Sequence, residues 1–321
     1  MKRRQLGSRP ARLRFLGALV ILIVSTGCGD GPLGIISAER EVEFGREAHL
    51  QLTSEMYEIC HECDDVILDE SSGLSLTDYV DGLGRHVATV GNPDRGAERR
   101  QIPEWNFTIL ASDEINAFAL PGGFIYVTTG LLEVMTNKAE LAAILGHEVA
   151  HVTKYHGVKR LEQYMIVQGL GSLIFGDSSS LAEAAAGFIL TVDNLVSSKD
   201  AEREADQYGV RYSYETGWNS LEMNNFFRHI EPLYGKEGGL SNVLASHPHP
   251  SERIRNVNAH AQALGITADS PDLKIDHETI PYERVREAAQ AINSAHPAQE
   301  PVARGPMPAR IQVMMCSCHN P

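Results

Sequence analysis

The sequence contains no apolar run long enough to cross a bilayer. Residues 15–24 form an apolar run of about ten residues, whereas a spanning helix needs about 20. Residues 166–196 are rich in Gly, Ala, Leu and Ile, but acidic side chains and the stretch 176–180 interrupt them. We interpret this segment as buried helical packing, with a mobile flap or a membrane-surface contact as the alternative. Neither segment predicts a membrane-spanning helix.

Positive charge is scarce outside the first residues. The chain has 28 Lys and Arg against 42 Asp and Glu, a formal charge of −14. Residues 1–27 carry six basic side chains and no acidic one, so the charge without them is −20. Nucleic-acid binding needs a basic surface. The charge balance therefore argues against a nucleic-acid partner.

The first residues have the pattern of a secretory signal, in which a basic stretch precedes a short apolar run. The stretch 1–27 ends in small residues directly before Cys28. This arrangement resembles a bacterial lipobox with Cys28 as the lipidated residue. Ser25 departs from that pattern, because leucine is usual there, and ordinary signal cleavage nearby is the alternative. Gly29 after the cysteine favours the outer membrane by the usual sorting rule. Residues 28–37 then form a Gly-rich tether.

Cysteine is also sparse, and the four that follow the lipobox form an even set: Cys60, Cys63, Cys316 and Cys318. In an oxidising compartment such a set favours disulfides, and their pairing stays open. Metal binding by the Cys-His-Glu-Cys run is the alternative, but no second CxxC follows at zinc-ribbon spacing.

A repeat of about 34 residues is missing as well, which excludes a tetratricopeptide domain.

Apolar spacing predicts helices at 39–59, 76–90 and 280–292 and a strand at 105–110. Two further strands, joined by a Pro-Gly-Gly turn, are predicted at 116–120 and 124–129 as a hairpin. An edge strand beside a metal site can pair with an extended peptide. The predicted substrate-binding residues are therefore Asn116, Ala117, Phe118 and Ala119. A plain core hairpin is the alternative.

Residues 138–156 carry the clearest chemical signal. Apolar residues at steps of three and four predict a core-facing helix. On it, His147 and His151 are four residues apart and lie on one face, where both can bind one metal ion. Glu148 is turned by about 100° and can take a proton from a metal-bound water without being a ligand. The alternative is a surface helix with two unrelated histidines.

A second helix, predicted to begin near residue 198, is dense in carboxylates. Two histidines leave a catalytic zinc one protein ligand short, and we expect Glu202 to supply it. Asp206 lies one turn later and can accept the outer N–H of a ligating histidine. We expect Glu204 to point into solvent. An ordinary acidic helix face is the alternative.

Together these stretches resemble peptidase family 48 of the zinc metallopeptidases, which includes the CAAX prenyl protease, HtpX and Oma types. The matching runs are N-A-F-A-L-P-G-G, G-H-E-V-A-H and S-K-D-A-E-R-E-A-D. The resemblance spans about residues 38–262 and lies closest to the periplasmic BepA/LoiP-like lipoproteins, although Lys199 stands where the family has arginine. It implies an α+β, mainly helical, zincin-like (gluzincin) fold with a small sheet beside the metal helix.

The same resemblance implies one zinc ion per chain, with His147, His151 and Glu202 as ligands, Glu148 as the general base and Asp206 beside the ligands. In secreted relatives, a histidine before proline approaches the zinc and an arginine six residues later lies near the site. Here these are His247 and Arg253. A proline-stiffened histidine can keep the zinc capped or stabilise the oxyanion. A surface turn without a role is the alternative.

The sequence thus predicts a zinc metalloendopeptidase on the periplasmic face of a bacterial envelope, held at the outer membrane by a lipid anchor on Cys28. Predicted boundaries are a signal at 1–27, the tether at 28–37, the peptidase domain at 38–265, and a C-terminal helix with a disordered tail at 266–321. Misfolded or stalled envelope proteins are the expected substrates. The alternative function is a chaperone-like assembly factor whose zinc site is capped by His247 and rarely active.

Overall fold

The structure is a computed structural model that describes residues 36–55, 57–91, 104–168, 184–189, 198–233, 250–267 and 280–295, and the single positions 93, 102, 181, 270 and 274. The signal, Cys28, His247, Cys316 and Cys318 lie outside the described residues. What the sequence predicts for them stays a prediction.

Helices predominate among the described elements, and the predicted α+β, mainly helical fold class is confirmed. In chain order the elements are α1 (Ala38–Glu55), α2 (Glu62–Asp65), β1 (Ile67–Asp69), β2 (Leu74–Ser75), α3 (Leu76–Gly91), β3 (Asn106–Leu110), β4 (Ala117–Leu120), β5 (Phe124–Thr128), α4 (Thr129–Val134), α5 (Lys138–Thr153), α6 (His156–Gln168), α7 (Lys199–Glu215), α8 (Met223–Ile230), α9 (Pro250–Ala263) and α10 (Tyr282–Ala295). Within the described part of the chain, no helix is both long and apolar enough to span a membrane.

The predicted hairpin is present as β4 and β5, which pair antiparallel. β5 is the middle strand of a three-stranded sheet and pairs in parallel with β3. The turn contains Gly122 and Gly123 with φ values of 87° and 94°, a region that side chains rarely adopt. A Cβ on Gly122 would lie 2.9 Å from the Cα of Val42 in α1. β4 is therefore an edge strand whose turn is held against α1.

Two apolar clusters pack on opposite faces of the sheet, because successive strand residues point to opposite sides. The larger one takes side chains from β3 and β5 together with α3, α5 and α7 to α10. The smaller one takes Tyr126 from β5 together with α1, α6 and the helical residues 184–189. The buried side chains at 184, 185, 188 and 189 agree with helical packing for the described part of residues 166–196.

Helix α5 differs from its predicted form in two ways. It is buried on all sides from Ala139 to Thr153, so it is a central helix and not one with a single core-facing stripe. It also ends at Thr153, before His156. The small residues between its apolar positions explain the burial, since they let neighbouring elements approach closely.

The most extensive contact between two described elements is the one between α5 and α7. A Cβ on Gly146 would lie 2.9 Å from the carbonyl oxygen of Gly209. A Cβ on Gly209 would lie 2.9 Å from the backbone nitrogen of His147. Two glycines thus allow the two helix backbones to touch.

The Cys-His-Glu-Cys run forms a disulfide between Cys60 and Cys63. The preference for a disulfide over a metal site is confirmed for this pair. The backbone N–H of Cys60 donates to the carbonyl of Ile109 at 2.9 Å, which ties the loop to β3.

We expect Gly146→Ala to lower the free energy of unfolding by about 1–3 kcal/mol, because the added methyl group forces α5 and α7 apart. The matched control is Gly82→Ala in α3, where an added Cβ meets nothing within 4 Å. That change should raise stability by about 0.5–1 kcal/mol through helix propensity. Urea unfolding followed by circular dichroism measures both, and equal shifts in the two variants would contradict the glycine contact.

Candidate metal centre

The side chains of His147, His151 and Glu202 meet between α5 and α7. The two histidines are one turn apart on α5, and Glu202 lies in the first turn of α7, which begins after Ser198 caps it by accepting a hydrogen bond from the Ala201 N–H at 3.1 Å. The Nε2 atoms of His147 and His151 are 3.0 Å apart. The carboxylate oxygens of Glu202 lie 3.6 Å and 3.4 Å from them. All three side chains are buried.

This set of donor atoms fits a zinc ion. One ligand atom from each residue lies within 4.8 Å of the others, and two imidazoles with one carboxylate are a donor set of catalytic zinc sites. Both histidines direct Nε2 to the common point. An imidazole binds metal through a nitrogen lone pair, so each must carry its proton on Nδ1. The predicted ligand set is therefore brought together by the fold.

Behind His147 lies a buried ion pair between Asp206 and Arg253. The Nδ1 of His147 is 3.1 Å from Oδ1 of Asp206, where Asp206 can accept the Nδ1 proton and fix the tautomer. Arg253 donates to the same carboxylate, with Nη2 2.6 Å from Oδ1, and its guanidinium stacks 4.4 Å from the ring centre of Phe227. Asp206 thus lies on the outer side of the ligand, whereas Nη2 of Arg253 lies 2.8 Å from Nδ1 and 3.1 Å from Nε2 of His147.

The charges of this pair set the local pKa values. Burial raises the pKa of Asp206, but Arg253 and His147 outweigh it, so the carboxyl pKa stays below its usual range. Burial also lowers the pKa of His147, and Arg253 lowers it further. Hydrogen bonds to Asp206 and Glu202 more than compensate and raise the pKa to about 9 in the metal-free site, so a metal ion has to displace the Nε2 proton when it binds. Asp206 is therefore held as a charged acceptor beside the ligand.

Glu148, the predicted base, is buried next to the first ligand on α5. Its negative charge raises the pKa of Arg253. Burial lowers the pKa of Arg160 on α6, and the negative charges of Glu148 and Glu202 both act to raise it. Nothing in the local sequence pattern around Arg160 marks it as part of the site.

A second contact, which the local sequence pattern does not reveal, lies behind His151. The Nδ1 of His156 is 2.9 Å from Nδ1 of His151, and its Nε2 is 3.0 Å from Oε2 of Glu204. The expectation that Glu204 points into solvent holds only in part, because its side chain is 40% exposed but this hydrogen bond holds it against α6. The bond lowers the pKa of Glu204, while burial lowers the pKa of His156.

The edge strand β4 packs against α5, and a small pocket lies between them. Ala119, Leu120 and Pro121 line one side of this pocket, and His151, Val152 and Tyr155 line the other. Thr128 donates to the carbonyl of Asn116, so in an antiparallel ladder the backbone groups of Ala117 and Ala119 point away from β5. Phe118 instead stacks on Tyr126, with ring centres 4.9 Å apart. The predicted substrate strand thus borders the metal centre.

Known proteins resemble this chain in sequence. The family model of Peptidase family M48 matches residues 81–261. The beta-barrel assembly-enhancing protease of Yersinia pestis is 28% identical over 216 residues, which cover 61% of this chain and 42% of the relative. Its counterpart in Escherichia coli (strain K12) is 26% identical over 199 residues, 59% of this chain and 39% of the relative. This chain thus spans about two fifths of the length of those relatives.

A shorter relative aligns over almost its whole length. Metalloprotease LoiP of Escherichia coli (strain K12) is 28% identical over 259 residues, which cover 78% of this chain and 97% of the relative. The metal centre described above lies within the residues matched by the family model.

We expect Arg253→Gln to lower the free energy of unfolding by about 3–5 kcal/mol, because it leaves the buried Asp206 carboxylate without its cation. The control is Arg255→Gln on the same helix, where the side chain is exposed and the change should stay within about 0.5 kcal/mol. Both are measured by urea unfolding in the presence of a chelator. A loss of similar size in the two variants would show that the ion pair does not contribute as described.

Proposed function

This chain belongs to peptidase family M48, and on that premise we propose that it is a zinc-dependent metalloendopeptidase of the bacterial cell envelope. Family membership makes it a metallopeptidase. We propose in addition that the metal is zinc, that the enzyme cleaves within chains, and that its location and substrates belong to the envelope. One observation carries it: His147, His151 and Glu202 converge, with Glu148 buried beside the first ligand.

Hydrolysis needs a nucleophilic water, a base and a proton donor for the leaving amine. When bound, zinc supplies a Lewis acid that lowers the pKa of water and polarises a carbonyl. Glu148 accepts the proton of the attacking water and later delivers it to the leaving amine. Asp206 keeps the proton of His147 on Nδ1, which leaves Nε2 free to bind metal. The chain therefore provides a base and an oriented ligand set.

Substrate binding is proposed to use β4 as a template. An extended peptide adds to the open edge of β4 and forms hydrogen bonds with the backbone of Ala117 and Ala119, which recognise no particular side chain. Because His151 lines the small pocket beside β4, a peptide paired with this strand would run past the metal ligands. Such binding suits many sequences, provided the substrate is unfolded.

The proposed substrates are misfolded or stalled envelope proteins, with a lipid anchor on Cys28 as the link to the outer membrane. Three observations support this class. Two relatives are named for beta-barrel assembly, residues 1–28 have the pattern of a lipoprotein signal, and the Cys60–Cys63 disulfide suits an oxidising compartment.

The proposed chemistry predicts that Glu148→Gln retains zinc but loses proteolysis. We expect one zinc per chain by elemental analysis in both parent and variant, and kcat/KM for unfolded casein at least about 100-fold lower in the variant, because the general base is gone. Glu287→Gln, an exposed glutamate on α10, is the matched control and should cleave like the parent. Undiminished cleavage by Glu148→Gln, or absence of zinc in the parent, would overturn the proposal.

The edge-strand template predicts that Ala119→Pro weakens substrate binding. Proline removes one backbone N–H that faces the open edge, so we expect KM for casein to rise about three- to tenfold, the value of one hydrogen bond. Zinc content should not change. Ala119→Ser keeps the N–H and is the control, and an equal rise in KM for both variants would argue against backbone pairing at this position.

A further inference from the structure

The two histidine ligands are supported on their outer side in different ways. His147 meets a carboxylate directly, that of Asp206. His151 instead meets a second imidazole, that of His156, at 2.9 Å between the Nδ1 atoms. His156 in turn meets Glu204 at 3.0 Å. On this side, one imidazole therefore separates the metal ligand His151 from the carboxylate of Glu204.

The atoms involved determine where the protons lie. If Nε2 of His151 binds metal, its Nδ1 carries the proton and donates it. Nδ1 of His156 must then accept, so the proton of neutral His156 lies on Nε2. That N–H donates to the Glu204 carboxylate, which accepts. With His156 neutral and Glu204 charged, only one direction of hydrogen bonding satisfies all three side chains, and it leaves the Nε2 lone pair of His151 for the metal.

The backbone explains how a residue five positions later reaches a ligand. In a continuous helix, His156 would lie about 140° around the axis from His151 and could not touch it. Instead α5 ends at Thr153, and Tyr155 takes a positive φ of 61° before α6 begins at His156. A positive φ is uncommon for a non-glycine residue. This break turns the buried imidazole of His156 back onto His151.

Glu204 comes from the same helix that supplies the third ligand. Helix α7 carries Glu202 to the metal centre, Asp206 to His147 and Glu204 to His156. Every second residue in this turn of α7 is thus acidic. Glu202 lies at the metal centre, Asp206 lies at the outer nitrogen of His147, and Glu204 lies behind His151 through His156.

We propose that His156 and Glu204 form a relay that fixes the tautomer and orientation of His151, as positioning residues for the metal. The inference rests on the proposed zinc site and adds a role for two residues that touch neither metal nor substrate. Outer partners of ligating histidines hold the ring in place and raise its basicity, and their loss weakens metal affinity 10- to 100-fold in typical sites.

The test is the zinc dissociation constant, measured by competition with a chromophoric chelator, for His156→Phe, Glu204→Gln and both together. We expect His156→Phe to weaken zinc binding by about 10- to 100-fold, because it removes the acceptor for His151. Glu204→Gln keeps an acceptor oxygen but loses the charge, so its loss should be smaller. The double variant should bind zinc no more weakly than His156→Phe, since both residues act through one hydrogen bond.

Glu215→Gln is the matched control, because Glu215 is on the same helix, has a similar exposure of 41% against 40% for Glu204, and also accepts a hydrogen bond from a side-chain N–H. Its zinc affinity should equal that of the parent. The thermal midpoint of each metal-free protein, in excess chelator, separates positioning from a merely structural role. For Glu204→Gln it should match the control.

Zinc affinity within about twofold of the parent in both single variants would overturn the relay, as would losses that multiply in the double variant. A drop in the metal-free thermal midpoint that accounts for the whole loss of affinity would also overturn it. If His156→Phe does not fold, the comparison of Glu204→Gln with Glu215→Gln decides. A parent that binds no zinc would overturn the proposed function as well, whereas a zinc-loaded, active parent with unaffected variants would reject the relay alone.

Discussion

The metal centre depends on a backbone contact between two helices. Gly146 in α5 and Gly209 in α7 let the helices approach until a methyl group on either would collide with the other backbone. His147 follows the first glycine directly, and Glu202 precedes the second by seven residues, which places it on the same face two turns away. The distance between histidine and carboxylate ligands is therefore set by helix packing and not by a flexible loop.

Close packing has an electrostatic cost, because it buries several charged groups together. Glu148, Glu202 and Asp206 are all buried within this region, and burying unpaired charge costs several kcal/mol per ion. Arg253 offsets part of the cost by direct hydrogen bonds to Asp206. A divalent cation between the histidines and Glu202 would offset more. The cluster thus makes physical sense as a site for a metal and makes little sense as a purely structural core.

Local pattern predicted those features that depend on spacing within one helix or one turn. The positions of His147, His151 and Glu202, the hairpin beside them and the capped start of α7 follow from such spacing, and the structure contains them. The sequence did not predict the His156 contact, since it depends on a positive φ at Tyr155, a residue type that does not mark a break. Glu204 and Arg160 were missed for a related reason: their partners lie on other elements, and helix periodicity does not reveal them.

The central claim is that His147, His151 and Glu202 together hold one zinc ion. The most direct measurement is a crystal structure of the zinc-loaded protein with an anomalous difference map at the zinc absorption edge. We predict a single strong peak about 2.0–2.2 Å from Nε2 of both histidines and from the carboxylate of Glu202. A peak at Nδ1 of either histidine, a peak elsewhere in the protein, or no peak at this site would contradict the account.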